Sequence, residues 1–283
     1  MERSVARRMW QALEPIHSAV YFAPMAREIY DAVGLKGYWM GYFASRSAAF
    51  GPASPELVMA TFYNFAERMV RRAIPDAWRF STPEDVLAAR LRLADMTTRR
   101  ILGPAADGDA SEAAEIAEAA ARAARPEGRP LFAAHASLPW PEEPHMRLWH
   151  AATLLREHRG DGHIAVLIDR DVDGLSAHAL SAAAGNIDLV TQKQYRGITD
   201  EEWDAAVERL RSRGLLDAKA EFTPEGRAFK QAIEDRTDEL ALQPYASIGD
   251  EASARLLQLL GEFAGRSDVP YPNPIGLTRE NGA

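Results

Sequence analysis

The chain has 283 residues, 47% hydrophobic and 26% charged, with a net charge of −8 and no cysteine. This is the composition of a folded globular protein with material for one large or two modest cores, which excludes wholesale disorder, disulfides, thiolate metal sites and a cysteine nucleophile. The acidic balance disfavours a broad nucleic-acid surface, and no stretch of about 18 apolar residues is present to span a membrane.

The charged start, Met1 to Arg8, runs into Met9-Trp-Gln11 and not into an apolar signal core, so a cytoplasmic location is expected. His17 lies early in the first helical pattern, beside Tyr21 and Phe22. The aromatic run Tyr38, Trp39, Tyr42, Phe43, Phe50, Phe62, Tyr63 and Phe65 reads as core by default. It would equally line an apolar ligand cavity, with Arg46 and Asn64 as polar handles. Ser54-Pro55-Glu56, Thr82-Pro83-Glu84 and Thr223-Pro224-Glu225 each place a capping hydroxyl before a first-turn proline and an acid, predicting helix starts. Arg68, Arg71 and Arg72 read as a solvated helix face. Asp109 to Ala124 is an alanine-rich helix expected at the periphery. Pro126-Glu-Gly-Arg-Pro130 ends it and marks the best interior boundary, giving units 1–128 and 129–265 and an extended proline-rich tail at 266–283.

The densest chemistry falls at Leu148–His163, which holds His150, His158 and His163, three of the seven histidines, with Trp149, Arg156, Arg159 and Asp161. His150 and His158 are about 80° apart around an ideal helix and can look to one side. Arg159-Gly-Asp-Gly162 is expected to break the helix and fold His163 back toward them. Asp161 could orient an imidazole, and Arg156 and Arg159 could clamp a carboxylate or phosphate. The candidate catalytic set is therefore His150 or His158 as general base, with Asp161 and Arg159. The candidate ligand-binding set is His17, Tyr42, Arg46, Tyr63, Asn64, His135, Trp149 and His163. The plainer alternative is a pair of satisfied histidines between packed helices, with Asp161 capping a helix. The spacing matches no two-histidine metal motif, so no metal ligand is assigned and the cofactor is left unknown. Asp169-Arg-Asp-Val-Asp-Gly174 imitates half a calcium loop but has Leu180 where a bidentate Glu is needed, so a capped turn is preferred. Gln192-Lys-Gln194 imitates the glutamine pair of winged-helix glycosylases, and a polar linker accounts for it as well.

Thr199-Asp-Glu-Glu202 has capping-box spacing, and Lys219-Ala-Glu-Phe222 is the clearest strand signal. Phe43-Ala44, Pro52 and Pro55 recur as Phe132-Ala133, Pro141 and Pro144 without a gap, consistent with a diverged duplication that builds a pocket between its copies.

From Ile198 to Arg227 the order of helix, strand pair, Thr-Pro-x-Gly-Arg and helix resembles the distal half of MarR-type winged-helix regulators. The chain as a whole resembles an actinobacterial helix-turn-helix-like (SalK-like) family of unknown function, with one member encoded in the salinomycin biosynthetic cluster. The matching stretches are Glu14-Pro-Ile-His17, Tyr42-Phe-Ala-Ser-Arg46, Phe62-Tyr-Asn-Phe65, Leu138-Pro-Trp-Pro141 and the Leu148–His163 segment. The resemblance implies a mainly α fold of two packed winged-helix-like or duplicated helical modules with one small β-wing, and a link to secondary metabolism.

Three functions follow as expectations. The first is a cytosolic small-molecule-binding protein with an aromatic pocket edged by His and Arg. The second is a ligand-responsive regulator, whose DNA contact and homodimer the resemblance would supply. Asp200, Glu201, Glu202 and Asp204 crowd the end of its recognition-position helix that should meet phosphates, which disfavours DNA. The third is an acid–base or metal-assisted enzyme acting on a secondary metabolite.

Overall fold

The computed structural model describes residues 1–107, 109–185, 187, 189–264, 269 and 273. The chain is mainly α-helical. The helices are α1 (Ser4–Phe22), α2 (Ala26–Asp31), α3 (Gly37–Ser47), α4 (Pro55–Phe62), α5 (Glu67–Ala73), α6 (Ala77–Phe80), α7 (Pro83–Leu102) and α8 (Asp109–Ala123). They continue as α9 (Pro130–Ala136), α10 (Pro144–Asp169), α11 (Gly174–Ala183), α12 (Leu189–Arg196), α13 (Asp200–Ser212), α14 (Pro224–Ala241) and α15 (Gln243–Ala264).

The start signals act as written. Ser54, Thr82 and Thr223 each accept a backbone N–H from the third residue onward, each before a proline in the first turn. Thr199 and Glu202 form a complete capping box at α13. The expected β-wing is not formed as a sheet. Among the described residues the Leu216–Phe222 hairpin makes one isolated antiparallel bridge. Backbone bonds from Asp217 N to the Glu221 carbonyl and from Thr223 N to the Leu215 carbonyl join the two arms, and the Asp217 side chain ties the loop by accepting from the N–H groups of Lys219 and Glu221.

Two apolar clusters form the interior. The first draws on residues from Ala6 to Leu155 and on α15, and the second runs from Val166 to Ile233. Helix α10 belongs to both: Met146–Leu155 packs in the first and Val166–Leu167 in the second. The proline turn at 126–130 divides neither, since Ala121 and Leu131 share the first cluster. Helix α8 is central and not peripheral. Ala110, Ala113, Ala114, Ala117 and Ala120 are fully buried, and α8 packs between α10 and α15. Alanine permits that close approach. Arg46 and His135, at matching positions of the two similar segments, touch: the His135 Nε2–H donates to the Arg46 carbonyl at 3.2 Å. Of the proline-rich tail only Val269 and Asn273 are described, both buried; the rest of that expectation lies outside the described residues.

Candidate functional site

Helix α10 runs unbroken from Pro144 to Asp169, so Arg159-Gly-Asp-Gly162 is not the expected turn. Gly162 serves close approach instead. A Cβ there would lie 2.6 Å from Arg129 Nη1, and that guanidinium crosses the helix to donate to the carbonyls of His158 and Leu240. Because the helix continues, its side chains spread at 100° per residue and the expected histidine cluster does not converge. His150 stands about 10 Å along the axis from Glu157, edge-on to Trp140 at 4.7 Å. His158 packs edge-on against Phe132 at 5.2 Å. Burial holds the first at a pKa of about 4 and the second at about 3, both neutral. Arg159 leaves on the opposite face, paired with Asp238 at 3.0 Å and lying over Trp10. Asp161 orients no imidazole. It accepts the Phe132 N–H at 2.9 Å and so caps α9 from across the fold. Burial raises it to about 6 despite that bond.

The residues that do converge surround a cavity of about 170 Å³ between the two apolar clusters. Helix α3 contributes Tyr42 and Arg46, and the end of α4 with its following turn contributes Phe62, Tyr63, Asn64 and Phe65. Helix α10 supplies Arg156, Glu157, Gly160, Asp161 and His163, while α11 and α12 supply His178 and Arg196. The back wall is fixed by contact between the clusters. Tyr63 donates its hydroxyl to the Val172 carbonyl at 2.7 Å, and His178 Nε2–H donates to the Asn64 carbonyl at 2.9 Å. Gly174 is required there, since a Cβ would fall 2.5 Å from the Tyr63 carbonyl oxygen. Tyr63 itself has φ of 51°, an uncommon conformation for a bulky residue that this docking holds in place.

A narrow neck of about 30 Å³ opens from this chamber, walled by Tyr42, Arg46, Phe65, Arg156 and Arg196. The same neck shares Tyr21, Phe22, Tyr38, Trp39 and Tyr195 with an outer cleft of about 530 Å³. Cleft, neck and chamber thus share walls in series, aromatic outside and charged within.

The polar heart of this series is a buried ion chain. Arg46 Nη2 donates to Glu157 Oε1 at 2.9 Å, and Arg156 Nη1 donates to Glu157 Oε2 at 2.6 Å. Arg156 also meets Glu14 at 3.4 Å, and Glu14 accepts from Trp10 Nε1 at 3.0 Å. Glu157 is 1% exposed. Burial opposes its charge, yet Arg156 and Arg46 hold its pKa well below the carboxylate range. The same pairing overrides burial at Arg46 and raises its pKa well above the ordinary value. Tyr42 accepts from Arg46 Nη1 at 3.0 Å. His17 lies beside the chain, with Nδ1 3.1 Å from Thr153 Oγ1, and burial with the nearby arginines keeps its pKa well below the usual value.

Of the residues singled out from the sequence, Tyr42, Arg46, Tyr63, Asn64, Asp161 and His163 line the chamber. His17 and His135 support it from behind through Thr153 and the Arg46 carbonyl. Trp149 is buried under Arg90, and His150, His158 and Arg159 face other neighbours. Sequence reasoning passed over Glu14, Arg90 and, above all, Glu157. A signal existed: Thr153, Arg156, Glu157, Gly160, Asp161 and Ile164 recur at three- and four-residue spacing on one face of a helix that is otherwise core. In the turn after α10, Asp173 caps α11 through Ser176 N at 2.8 Å. Among the described residues no group of three or more His, Asp or Glu could hold a metal ion.

The sequence pattern of a family described as a helix-turn-helix family matches residues 6–267. No curated protein and no solved structure matches the chain.

Proposed function

The chain belongs to this helix-turn-helix family, and from that premise we propose that it is a cytosolic small-molecule-binding protein whose ligand occupies the space from aromatic cleft to charged chamber. The observation that carries this reading is the position of the chamber. It lies where two separately packed apolar clusters meet, lined from both and floored by the Arg46–Glu157–Arg156 ions. Small-molecule sites favour such junctions between packed units, and here aromatic walls outside lead to convergent polar groups within. The likeness to the SalK-like family makes secondary metabolites the first compounds to screen. Native mass spectrometry of freshly purified protein tests the reading. A discrete organic molecule released on denaturation supports it; a protein that leaves the column empty and retains nothing from a metabolite mixture contradicts it.

Family membership favours a second reading, a ligand-responsive DNA-binding regulator. The exposed face of α13 argues against it. Asp200, Glu201, Asp204 and Glu208 are exposed there, and the one exposed cation, Arg209, is paired with Asp173 at 3.0 Å. Arg211 and Arg213 donate to backbone carbonyls of Asp217 and Asp171 and so brace the fold. Phosphates approaching this face would meet carboxylates. An enzymatic reading would rest on Asp161 and His163, the two candidate titratable groups that stay in the chamber.

A further inference from the structure

We infer, building on the small-molecule reading above, that the chamber is made for a head group in which a carbonyl oxygen sits beside a hydroxyl, carried on a flat apolar body. The hydrogen-bond inventory supplies the argument. Thr237 gives its hydroxyl proton to the Ile233 carbonyl at 2.8 Å. Toward His163, 2.9 Å away, it can therefore only accept, which fixes the proton of that imidazole on Nδ1. Burial keeps the ring neutral, with a pKa of about 3. Nε2 is left as a bare lone pair on a ring that lines the chamber, an acceptor that asks for a donor.

The α3 side of the chamber offers the reverse. Arg46 commits Nη1 to Tyr42 and Nη2 to Glu157, while its buried Nε has no partner. Tyr42 accepts from Arg46, and its own hydroxyl proton finds no acceptor among the described residues. The Tyr42 hydroxyl and His163 Nε2 therefore offer the chamber one donor and one acceptor, with the Arg46 cation beside Tyr42. A carbonyl or carboxylate oxygen answers Tyr42, and a neighbouring hydroxyl answers His163. The aromatic walls beyond the neck then set the body: Trp39, shared by neck and cleft, stands 4.9 Å from Tyr38, edge to face, in a wall of rings that suits a planar unsaturated group.

The test is calorimetric titration of the intact protein with four ligands that share a 2-naphthyl body. They are 2-hydroxy-3-(2-naphthyl)propanoate, the matching hydroxymethyl ketone, the deoxy acid 3-(2-naphthyl)propanoate and 2-(2-naphthyl)ethanol. At least one hydroxy-carbonyl compound should bind about tenfold more tightly than both the deoxy acid and the alcohol, because each analogue leaves a desolvated protein group unanswered. The two hydroxy-carbonyl arms separate an acid head from a ketone head. In His163→Leu the advantage over the deoxy acid should vanish, and in Tyr42→Phe the advantage over the alcohol should shrink. Equal binding of all four by the wild-type protein overturns the head-group inference and leaves the pocket reading standing. Failure of all four to bind, in protein that also carries no molecule of its own, sinks both. The wild-type comparison decides the matter even if a variant does not fold.

Discussion

Replacing Glu157 by glutamine keeps the shape of the side chain and removes one charge from the centre of the ion chain. Arg46 and Arg156 would then sit at 2.9 and 2.6 Å from a neutral amide, with the Arg46 side chain only 7% exposed. Breaking a buried pair by removing one partner destabilises by about 3–5 kcal/mol, because the surviving charge stays desolvated. For a chain of this size that corresponds to a melting temperature lower by roughly 6–15 °C. The effect should be pH-dependent in one direction. Glu157 has a depressed pKa in the folded protein, so its contribution is fully present above the unfolded value of about 4.3 and is lost as pH falls toward the folded value. Wild type and Glu157→Gln should therefore differ most at pH 7 and converge in acid. Urea denaturation at pH 7 and at pH 4 or below measures both numbers. Adding Arg46→Met to Glu157→Gln should recover part of the loss, with a coupling of about 1–3 kcal/mol in the double-mutant cycle. A Glu157→Gln variant within about 0.5 kcal/mol of wild type at pH 7, the size of an ordinary surface change, would refute the reasoning.

Asp161 should show the opposite sign. Its folded pKa, raised to about 6, means that the folded state holds the proton more tightly, so stability falls as pH rises from about 4 through 6. Asp161→Asn can still accept the Phe132 N–H and should gain on wild type by on the order of 2 kcal/mol between pH 4 and pH 7.5, measured by urea denaturation; a constant difference would contradict the assignment. Thr199→Ala removes the side-chain half of the capping box, the acceptor for the Glu202 N–H, and should destabilise by about 1 kcal/mol in the same assay. Fluorescence anisotropy with duplex DNA at physiological salt should show no sequence-specific complex. A tight site with a steep salt slope would revive the regulator reading.

Helix starts were legible because caps are local chemistry: Ser54, Thr82, Thr199 and Thr223 each need only the next three or four residues. The aromatic wall and Arg46 were legible for a similar reason, as rings and a guanidinium at helical spacing on α3. The histidine cluster was misread because Gly160 and Gly162 look like a turn when only the local backbone is considered. Their real determinants, the crossing Arg129 and the chamber itself, come from distant segments. Glu157 escaped notice because a carboxylate flanked by Arg156 and His158 looks like any solvated helix residue until Arg46, 111 positions earlier, is folded against it. The buried α8 was hidden by its composition, since alanine marks a close helix approach only when both partners are known. The thin wing was overread because Lys219-Ala-Glu-Phe222 has strand character, while the two arms, closed by a tight loop at Asp217, are long enough for only one bridge.

Gly160 offers the most direct test of the central claim, because it sits in the helical interior of α10 and lines the chamber. An added Cβ would meet Arg156 Nη1 at 3.4 Å and Glu157 Oε2 at 3.7 Å, ordinary contact distances, so a longer side chain would extend into the cavity. Gly160→Met should keep or raise the melting temperature, since glycine within a helix is about 1 kcal/mol less favourable than a good helix former. The measurement is the affinity of this variant, against wild type, for the tightest binder among the four naphthyl ligands. The account predicts that binding is lost while the fold melts no lower than wild type; full wild-type affinity in the filled chamber would contradict it.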